Sequence, residues 1–269
     1  MSSATKTLAL LEFFSPERPS IGLSQLCRLA KRDKATTYRH LQALEDAGFV
    51  EQNDQTRQYR LGPALLKLAQ VRELTVPRKL GAQSALEGLS KAIGETAHVT
   101  VLSGSKVYPL VDRESQRHST RAIVDLATFP LHATASGLCA LAFGPDHLFD
   151  YAIDRMEAYT PTTVVSPVAL KASIDRVRAL GFAHSNRGFE RDVEGISAPL
   201  FGPGGQYAGA VSVACVATRF SDEIGHAIQD KLILASREIT HNWGGFVPAN
   251  IEALWAKTLS HSNSLEATS

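Results

Sequence analysis

Apolar residues in the first third of the chain recur at the spacing of three short helices. The pattern predicts a first helix over residues 5–14 and a second over residues 25–30, with Ser24 as the N-cap of the second. A third helix is predicted over residues 34–47, and Gly48 follows it as a residue type that commonly ends helices. A short helix, a polar turn and a longer helix are typical of a helix-turn-helix unit.

The third predicted helix has two chemically different faces. Thr37, Leu41 and Leu44 fall on the face expected to pack against the other helices. The opposite face carries cationic and hydrogen-bonding side chains, namely Lys34, Tyr38, Arg39 and Gln42. A helix with such side chains near its start is the kind that enters the major groove of DNA.

A β-hairpin is predicted directly after this helix. Residues 49–52 and 58–61 have the pattern of two strands, and the polar residues 53–57 form the tip between them. Arg57 lies at the tip, where a wing contacts phosphates. Taken alone, Arg39 and Arg57 are ordinary surface charges, and only their combination with the turn and the basic helix face points to DNA. Residues 1–62 therefore predict a winged helix-turn-helix domain, mainly α-helical with a β wing.

The rest of the chain alternates predicted strands and helices. A helix is predicted over residues 63–74, ends before Pro77, and has a wide apolar face. One hairpin is predicted over residues 98–112, and a second joins residues 195–201 to residues 207–216. Further helices are predicted over residues 80–93, 133–143, 146–156, 168–180 and 222–243. The pattern predicts an α+β domain over residues 80–245, followed by a loosely held tail over residues 246–269.

Composition and charge support a globular two-part chain. The 269 residues are 44% hydrophobic and 20% charged, which excludes a disordered or fibrous chain. Residues 1–80 hold 13 Lys and Arg against 8 Asp and Glu, and the remainder holds 15 against 19, so the N-terminal part is the basic one. We expect no signal peptide, no membrane span and a cytoplasmic location.

Enzymatic chemistry has little support in the residue spacing. Cys139 together with His98 or His132 would suit a thiol hydrolase, and this alternative stays open because sequence cannot place them in space. The glycines of residues 202–205 lack the spacing of a nucleotide-binding loop. We therefore expect no catalytic residue, metal or cofactor. A sensor that acts through protein partners without DNA is a third alternative.

Several motifs together resemble the IclR family of bacterial transcription regulators. In the N-terminal part the resemblance rests on residues 23–26 (LSQL), 34–41 (KATTYRHL), 44–50 (LEDAGFV) and 59–62 (YRLG). In the C-terminal part it rests on residues 130–137 (PLHATASG), 181–183 (GFA), 195–201 (GISAPLF) and 209–213 (GAVSV). The chain departs from the family at His40, where an apolar residue is usual, and at Thr37.

The resemblance implies a role and an assembly for each part. It implies DNA contacts from the helix-turn-helix and the wing, here Ser24, Lys34, Thr36, Tyr38, Arg39, Gln42 and Arg57. Residues 63–79 become a linker helix that helps pair two subunits, although packing on its own domain is the alternative. Residues 80–245 become a GAF-like effector-binding domain. We expect a homodimer or a dimer of dimers on a palindromic operator, controlling a catabolic operon.

The effector site is expected at the start of the helix after Leu131. Small residues allow close approach there, and the free N–H groups of a helix start attract an anion such as a carboxylate. The resemblance implies amide contacts at Ala135 and Ser136 and a hydroxyl contact at Ser212. Ala214 and Gly195 replace polar residues of some members, and Val193 is expected to line the same wall. The pocket is therefore expected to be roomier and more apolar, with a single hydroxyl at Ser212, and to suit an aromatic or branched carboxylate.

Overall fold

The computed structural model of the protein describes the backbone of residues 2–124 and 129–266, and the side chains of these ranges up to residue 260. Its contacts separate the residues up to Pro77 from those that begin at Arg78. Each of the two units has hydrophobic core clusters of its own. The two units are described in turn.

The N-terminal unit packs its helices against a small sheet. Its elements are α1 (Ser3–Leu8), a 3₁₀ turn (Ala9–Phe13), β1 (Ser20–Gly22), α2 (Leu23–Ala30), α3 (Lys34–Asp46), β2 (Val50–Gln52), β3 (Gln58–Leu61) and α4 (Ala64–Thr75). The sheet is antiparallel in the order β1-β3-β2. The core consists of Leu10, Ile21, Leu26, Leu41, Leu44, Val50 and Tyr59. The predicted winged helix-turn-helix is confirmed.

Two details near the start of this unit differ from the prediction. The first α-helix ends at Leu8, and the following residues wind more tightly as the 3₁₀ turn, in which Leu10 is fully buried. Gly22 pairs with Gln58 in a strand that the pattern did not predict, and α2 begins directly after it. Gly22 is therefore the N-cap, and Ser24 lies exposed within the first turn, so the predicted cap was wrong.

The C-terminal unit is built on one five-stranded antiparallel sheet in the order β5-β4-β8-β7-β6. Its strands are β4 (Thr96–Ser103), β5 (Lys106–Arg113), β6 (Ala183–Asn186), β7 (Val193–Phe201) and β8 (Tyr207–Val216). Its helices are α5 (Arg78–Ile93), α6 (Ala135–Phe143), α7 (His147–Ile153), α8 (Pro167–Leu180), α9 (Asp222–Asn242) and α10 (Ala249–Glu266). Both predicted hairpins and the α+β class are confirmed.

The strands alternate between the two faces of this sheet. Val99, Val211 and Ile196 point into the core that includes α5 and α9. On the other side, α6 and α8 enclose a second core with Leu138, Leu170 and other side chains. The sheet therefore lies between two helical layers. Strand residues next in sequence to Val99, Val211 and Ile196 face α6.

The C-terminal segment is not the loosely held tail that its composition suggested. The last described residues of the chain form α10, which contacts α8 and α9. Trp255 is fully buried, and its indole N–H donates to the carbonyl oxygen of Gly181 at 3.1 Å. Ile251 is buried beside it. Two large apolar residues four positions apart make one side of a helix, and this signal outweighs the polar composition of the segment.

Candidate functional site

The outer face of α3 brings together most of the side chains expected to meet DNA. Asp33 caps the helix by accepting a hydrogen bond from the N–H of Thr36 at 2.8 Å. Of the α3 residues expected to meet DNA, Lys34, Tyr38, Arg39 and Gln42 are exposed, whereas Thr36 is half-buried. Gln42 donates to the hydroxyl oxygen of Tyr38 at 3.1 Å, so these two groups are held side by side. The surface has the hydrogen-bonding groups needed for base edges.

Two polar residues anchor the inner face of α3. Thr37 is fully buried and donates its hydroxyl to the Asp33 carbonyl oxygen at 2.8 Å. His40 is buried as well, and its Nδ1 lies 2.6 Å from the Thr7 hydroxyl, which links α3 to α1. Burial lowers the pKa of His40, and the nearby charges of Arg32, Arg39 and Lys6 lower it further. The two departures from the family pattern are therefore satisfied core contacts.

The wing presents Arg57 from a tightly ordered turn. The Asn53 side chain accepts hydrogen bonds from the N–H groups of Gln55 and Thr56, and Gln52 donates to the Arg57 carbonyl oxygen at 2.9 Å. Arg57 has a left-handed backbone with φ 55°, and its side chain is exposed. An ordered turn holds this arginine away from the body of the unit.

The second candidate site is a cavity at the start of α6. It encloses about 680 Å³ of empty space including its open mouth. Thr134 is the N-cap of α6, and its hydroxyl accepts from the Gly137 N–H at 3.0 Å. Within the described part of the chain, no acceptor pairs with the N–H groups of Ala135 and Ser136. Two amide donors therefore remain for an anion.

Strand register places the predicted effector residues in this one cavity. Ser212 lies opposite Ser197 on β7, and Ala214 lies opposite Gly195, so these four residues share the sheet face towards α6. The predicted residues Ala135, Ser136, Val193, Gly195, Ser212 and Ala214 all line the cavity.

The floor of the cavity is more polar than expected. The hydroxyl oxygens of Ser212 and Ser197 are 2.6 Å apart, and those of Ser212 and Ser136 are 2.8 Å apart. Three hydroxyls in a row hold three protons and use two of them between themselves, so the third O–H can donate to a ligand oxygen or to Nε2 of His98, 3.5 Å from the Ser136 oxygen. The expectation of a single hydroxyl at Ser212 was therefore wrong, because strand pairing brings a second serine beside it and Ser136 adds a third.

The cavity is also lined by side chains that the sequence analysis did not assign to it. They include Phe129, Phe189, Ile123, Ser197 and His98. Ser197 follows Gly195 by two positions, so the period of a strand was a usable signal for it. His98 reaches the cavity through the pairing of β4 with β8, where it lies opposite Ser212. Nothing in the local sequence around His98 reveals that pairing.

Cys139 is not placed as a nucleophile. It is fully buried in α6, and its thiol donates to the Ser197 carbonyl oxygen at 3.4 Å. Burial raises the pKa of the Cys139 thiol far above its usual range, which keeps it protonated and unreactive. His132 is bonded elsewhere, with its Nε2 2.9 Å from the Glu157 carbonyl oxygen.

Metal and membrane sites find no support in the described residues. Across residues 2–124 and 129–260 there is no group of three or more metal-ligating side chains. None of the described helices combines the length and the apolar character that crossing a bilayer requires.

Comparison with known families decides the identity of the two units. Residues 78–241 match the family profile described as the bacterial transcriptional regulator IclR C-terminal domain. Residues 3–54 match the IclR helix-turn-helix domain. The chain belongs to the IclR family.

Relatives cover this IclR-family chain along most of its length. The regulator BhcR of Paracoccus denitrificans is 30% identical over 225 residues, which are 81% of this chain and 79% of the relative. A solved structure from a Silicibacter species, described as an IclR transcriptional regulator, is 37% identical with a TM-score of 0.86 and covers 93% of this chain and 99% of its own. An IclR homologue from Microbacterium hydrocarbonoxydans, solved with 4-hydroxybenzoate, shares the fold at 20% identity and a TM-score of 0.73, covering 90% and 99%.

Membership of the IclR family settles the class of function. The chain is a transcriptional regulator with a DNA-binding helix-turn-helix domain and a ligand-binding C-terminal domain. Relatives in this family are regulators and not enzymes, so the thiol-hydrolase alternative is wrong. A sensor that acts without DNA is likewise disfavoured, because the helix-turn-helix family implies DNA binding.

Proposed function

We propose that this chain controls a catabolic operon and that its affinity for DNA changes when a small carboxylate binds at the start of α6. In this proposal residues 1–62 bind an operator, residues 63–79 link and pair subunits, and the unit that begins at residue 80 binds the effector. The protein acts in the cytoplasm as a dimer or a dimer of dimers on a palindromic site.

The observation that carries the effector proposal is the pair of unpaired amides at Ala135 and Ser136 inside a lined cavity. The N-terminus of α6 adds the positive end of the helix dipole, which favours a negative charge there. The Ser136 and Ser212 hydroxyls adjoin the same place. A carboxylate matches this donor set because its two oxygens accept hydrogen bonds and carry the charge.

The remaining walls favour an apolar body on that carboxylate. Phe129, Phe189, Ile123 and Val193 supply aromatic and aliphatic surface. A polar ligand group turned towards these side chains would be left unpaired, at a cost of about 1–3 kcal/mol. Besides His98, Ser185 and Glu190 are the polar residues in the described lining beyond the start of α6 and the row of three serines. An aromatic or branched monocarboxylate therefore fits better than a small dicarboxylate or keto acid. The 4-hydroxybenzoate bound by the Microbacterium homologue belongs to this chemical class.

Calorimetry on the full-length protein tests the proposal. We expect aromatic and branched monocarboxylates to bind, and succinate and glyoxylate to bind much more weakly. Ser212→Ala removes a hydroxyl beside the carboxylate. Ser136→Pro removes both the amide donor and the hydroxyl of Ser136, in the first turn of α6, where proline costs no hydrogen bond within the helix. Each variant should weaken binding about tenfold, since one charged hydrogen bond is worth about 1.5 kcal/mol or more.

The matched control is Ser173→Ala, because Ser173 is a half-buried serine on α8 outside the cavity, and its hydroxyl donates to the Ala169 carbonyl oxygen within the helix. Release of DNA is measured in parallel, since a ligand changes regulation only by binding the two states unequally. Binding confined to small dicarboxylates, or unchanged affinity in both site variants, would show that the carboxylate binds elsewhere.

A further inference from the structure

We propose that His98 selects the effector by pairing with a hydroxyl group next to the carboxylate, so that the preferred ligand is a 2-hydroxy carboxylate. The inference rests on the proposed function, because it assumes a carboxylate at the start of α6. It assigns a specificity role to a residue that neither strand pattern nor family motif singled out.

The first observation is an unsatisfied buried atom. His98 is 6% exposed and lines the cavity, yet its Nδ1 has no hydrogen-bond partner among the described residues. Buried polar atoms in folded proteins nearly always have a partner, so such an atom in a ligand cavity calls for a ligand group. The other ring nitrogen, Nε2, is 3.5 Å from the Ser136 hydroxyl oxygen, which is at the limit of a weak hydrogen bond.

The second observation is the position of the ring. Ser136 supplies one of the two free amides, and Nε2 of His98 lies 3.5 Å from the Ser136 hydroxyl oxygen. A carboxylate held by that amide therefore has the imidazole close to its attachment point. In this proposal a hydroxyl on the carbon next to the carboxylate meets the imidazole edge, whereas a hydroxyl on the opposite side of an aromatic ring does not.

The third observation concerns the orientation and charge of the imidazole. The ring stacks on Phe129 with centroids 5.4 Å apart and planes within 8°. The stack fixes the ring plane, so the nitrogens act at a defined edge. Burial lowers the pKa of His98 to about 4, so the ring is neutral at pH 7. A neutral imidazole offers one donor and one acceptor, which suits a hydroxyl better than a second carboxylate.

The test is calorimetry on the full-length protein with carboxylates that differ only in one hydroxyl. The pairs are benzoate with 2-hydroxybenzoate, benzoate with 4-hydroxybenzoate, and phenylacetate with mandelate. We expect 2-hydroxybenzoate and one enantiomer of mandelate to bind about tenfold more tightly than their parents, as one added hydrogen bond to an unsatisfied group allows. We expect no such gain for 4-hydroxybenzoate.

Two substitutions assign the preference to His98. His98→Leu should abolish the gain from the 2-hydroxyl, measured as the ratio of the affinities for 2-hydroxybenzoate and benzoate in the same variant. His98→Asn should keep the gain, because the asparagine amide occupies nearly the position of Nδ1. If wild type binds the 2-hydroxy compounds no better than their parents, the role of His98 is overturned and the carboxylate site stands. If none of these carboxylates binds, both proposals fall.

A spectroscopic readout covers the case in which the variants do not fold. In wild-type protein labelled with ¹⁵N-histidine, 2-hydroxybenzoate should shift the Nδ1 resonance of His98 and benzoate should not. Equal spectra with the two ligands would overturn the assignment without any variant.

Discussion

At the scale of single residues, Arg39 and Arg57 are the arginines of the proposed DNA-binding surface, and neither forms an ion pair within the described ranges. Arg60, on the same hairpin as Arg57, instead pairs with Glu51 at 2.5 Å. An arginine that is already paired must break that contact before it can bind a phosphate, whereas an unpaired one need not. Arg39 and Arg57 are therefore the side chains from which we expect phosphate contacts.

Replacing Arg57 by Ala should weaken binding to all DNA sequences alike. Each phosphate contact releases counterions, so the log–log slope of affinity against salt should become shallower by about 0.9. Gln42→Ala should instead change the ranking of DNA sequences and leave the salt slope as it is, because base contacts carry specificity. Fluorescence anisotropy on the fragment upstream of the protein's own gene, at several salt concentrations, measures both effects.

The matched control for the loss of one positive charge is Arg113→Ala. Arg113 and its ion-pair partner Glu87 both belong to the C-terminal unit, so Arg113→Ala should leave DNA affinity unchanged. An Arg39→Ala, Arg57→Ala double variant that retained full affinity for the operator would refute the assignment of this surface.

The residues of the effector cavity differ in how well a single sequence predicts them. Ala135 and Ser136 were expected from the family resemblance, and the cap at Thr134 supplies the physical reason, because the first amides of a helix have no partner within it. Ser197 was within reach through the two-residue period of its strand. His98 was not, since β4 and β8 are more than 100 residues apart in the chain and only their pairing makes His98 a neighbour of Ser212. Long-range pairing is the physical information that a single sequence lacks.

At the scale of elements, the predictions succeeded where the periodicity was long and failed at short or polar segments. The helix over residues 34–47 and both long hairpins were recovered nearly to their ends. β1 was missed because three residues give too short a pattern, and its pairing with β3 then moved the start of α2. In α10 the polar composition of the segment outweighed the signal of two apolar residues, Ile251 and Trp255, which are buried.

Trp255→Ala should destabilise the C-terminal unit by about 3–5 kcal/mol, the usual cost of removing a buried tryptophan. The indole packs beside Phe182 with ring centroids 5.9 Å apart, and its loss also leaves the Gly181 carbonyl unpaired. Urea unfolding followed by the fluorescence of the remaining Trp243 measures the change. Lys257→Ala, an exposed position on the same helix, should change stability little. A loss below about 1 kcal/mol for Trp255→Ala would mean that α10 is not part of the folded unit.

At the scale of the whole molecule, α4 is a helix of 12 residues, and its own unit leaves most of its apolar side chains exposed. None of its residues is buried, and Leu66 and Leu74 are 69% and 84% exposed. Leu68 and Val71 add further exposed apolar surface. Surface of this kind on one helix is typical of a contact site, and a linker between a DNA-binding unit and an effector unit is where pairing of two copies would couple them.

We therefore predict that the protein is a dimer or a dimer of dimers at micromolar concentration, and that α4 contributes to the contact. A two-fold dimer presents two recognition helices, which address half-sites about one helical turn apart or a multiple of it. Leu66→Gln combined with Leu74→Gln should shift the mass in multi-angle light scattering towards the monomer, and operator affinity should fall because each half-site is then bound alone.

Val168→Gln with Leu180→Gln is the control, since these apolar residues on α8 are also exposed, by 80% and 52%. A monomeric mass for the wild type, both free and on DNA, would rule out this assembly. If the α4 variant kept the mass and the operator affinity of the wild type, the contact between subunits would have to lie on a surface other than α4.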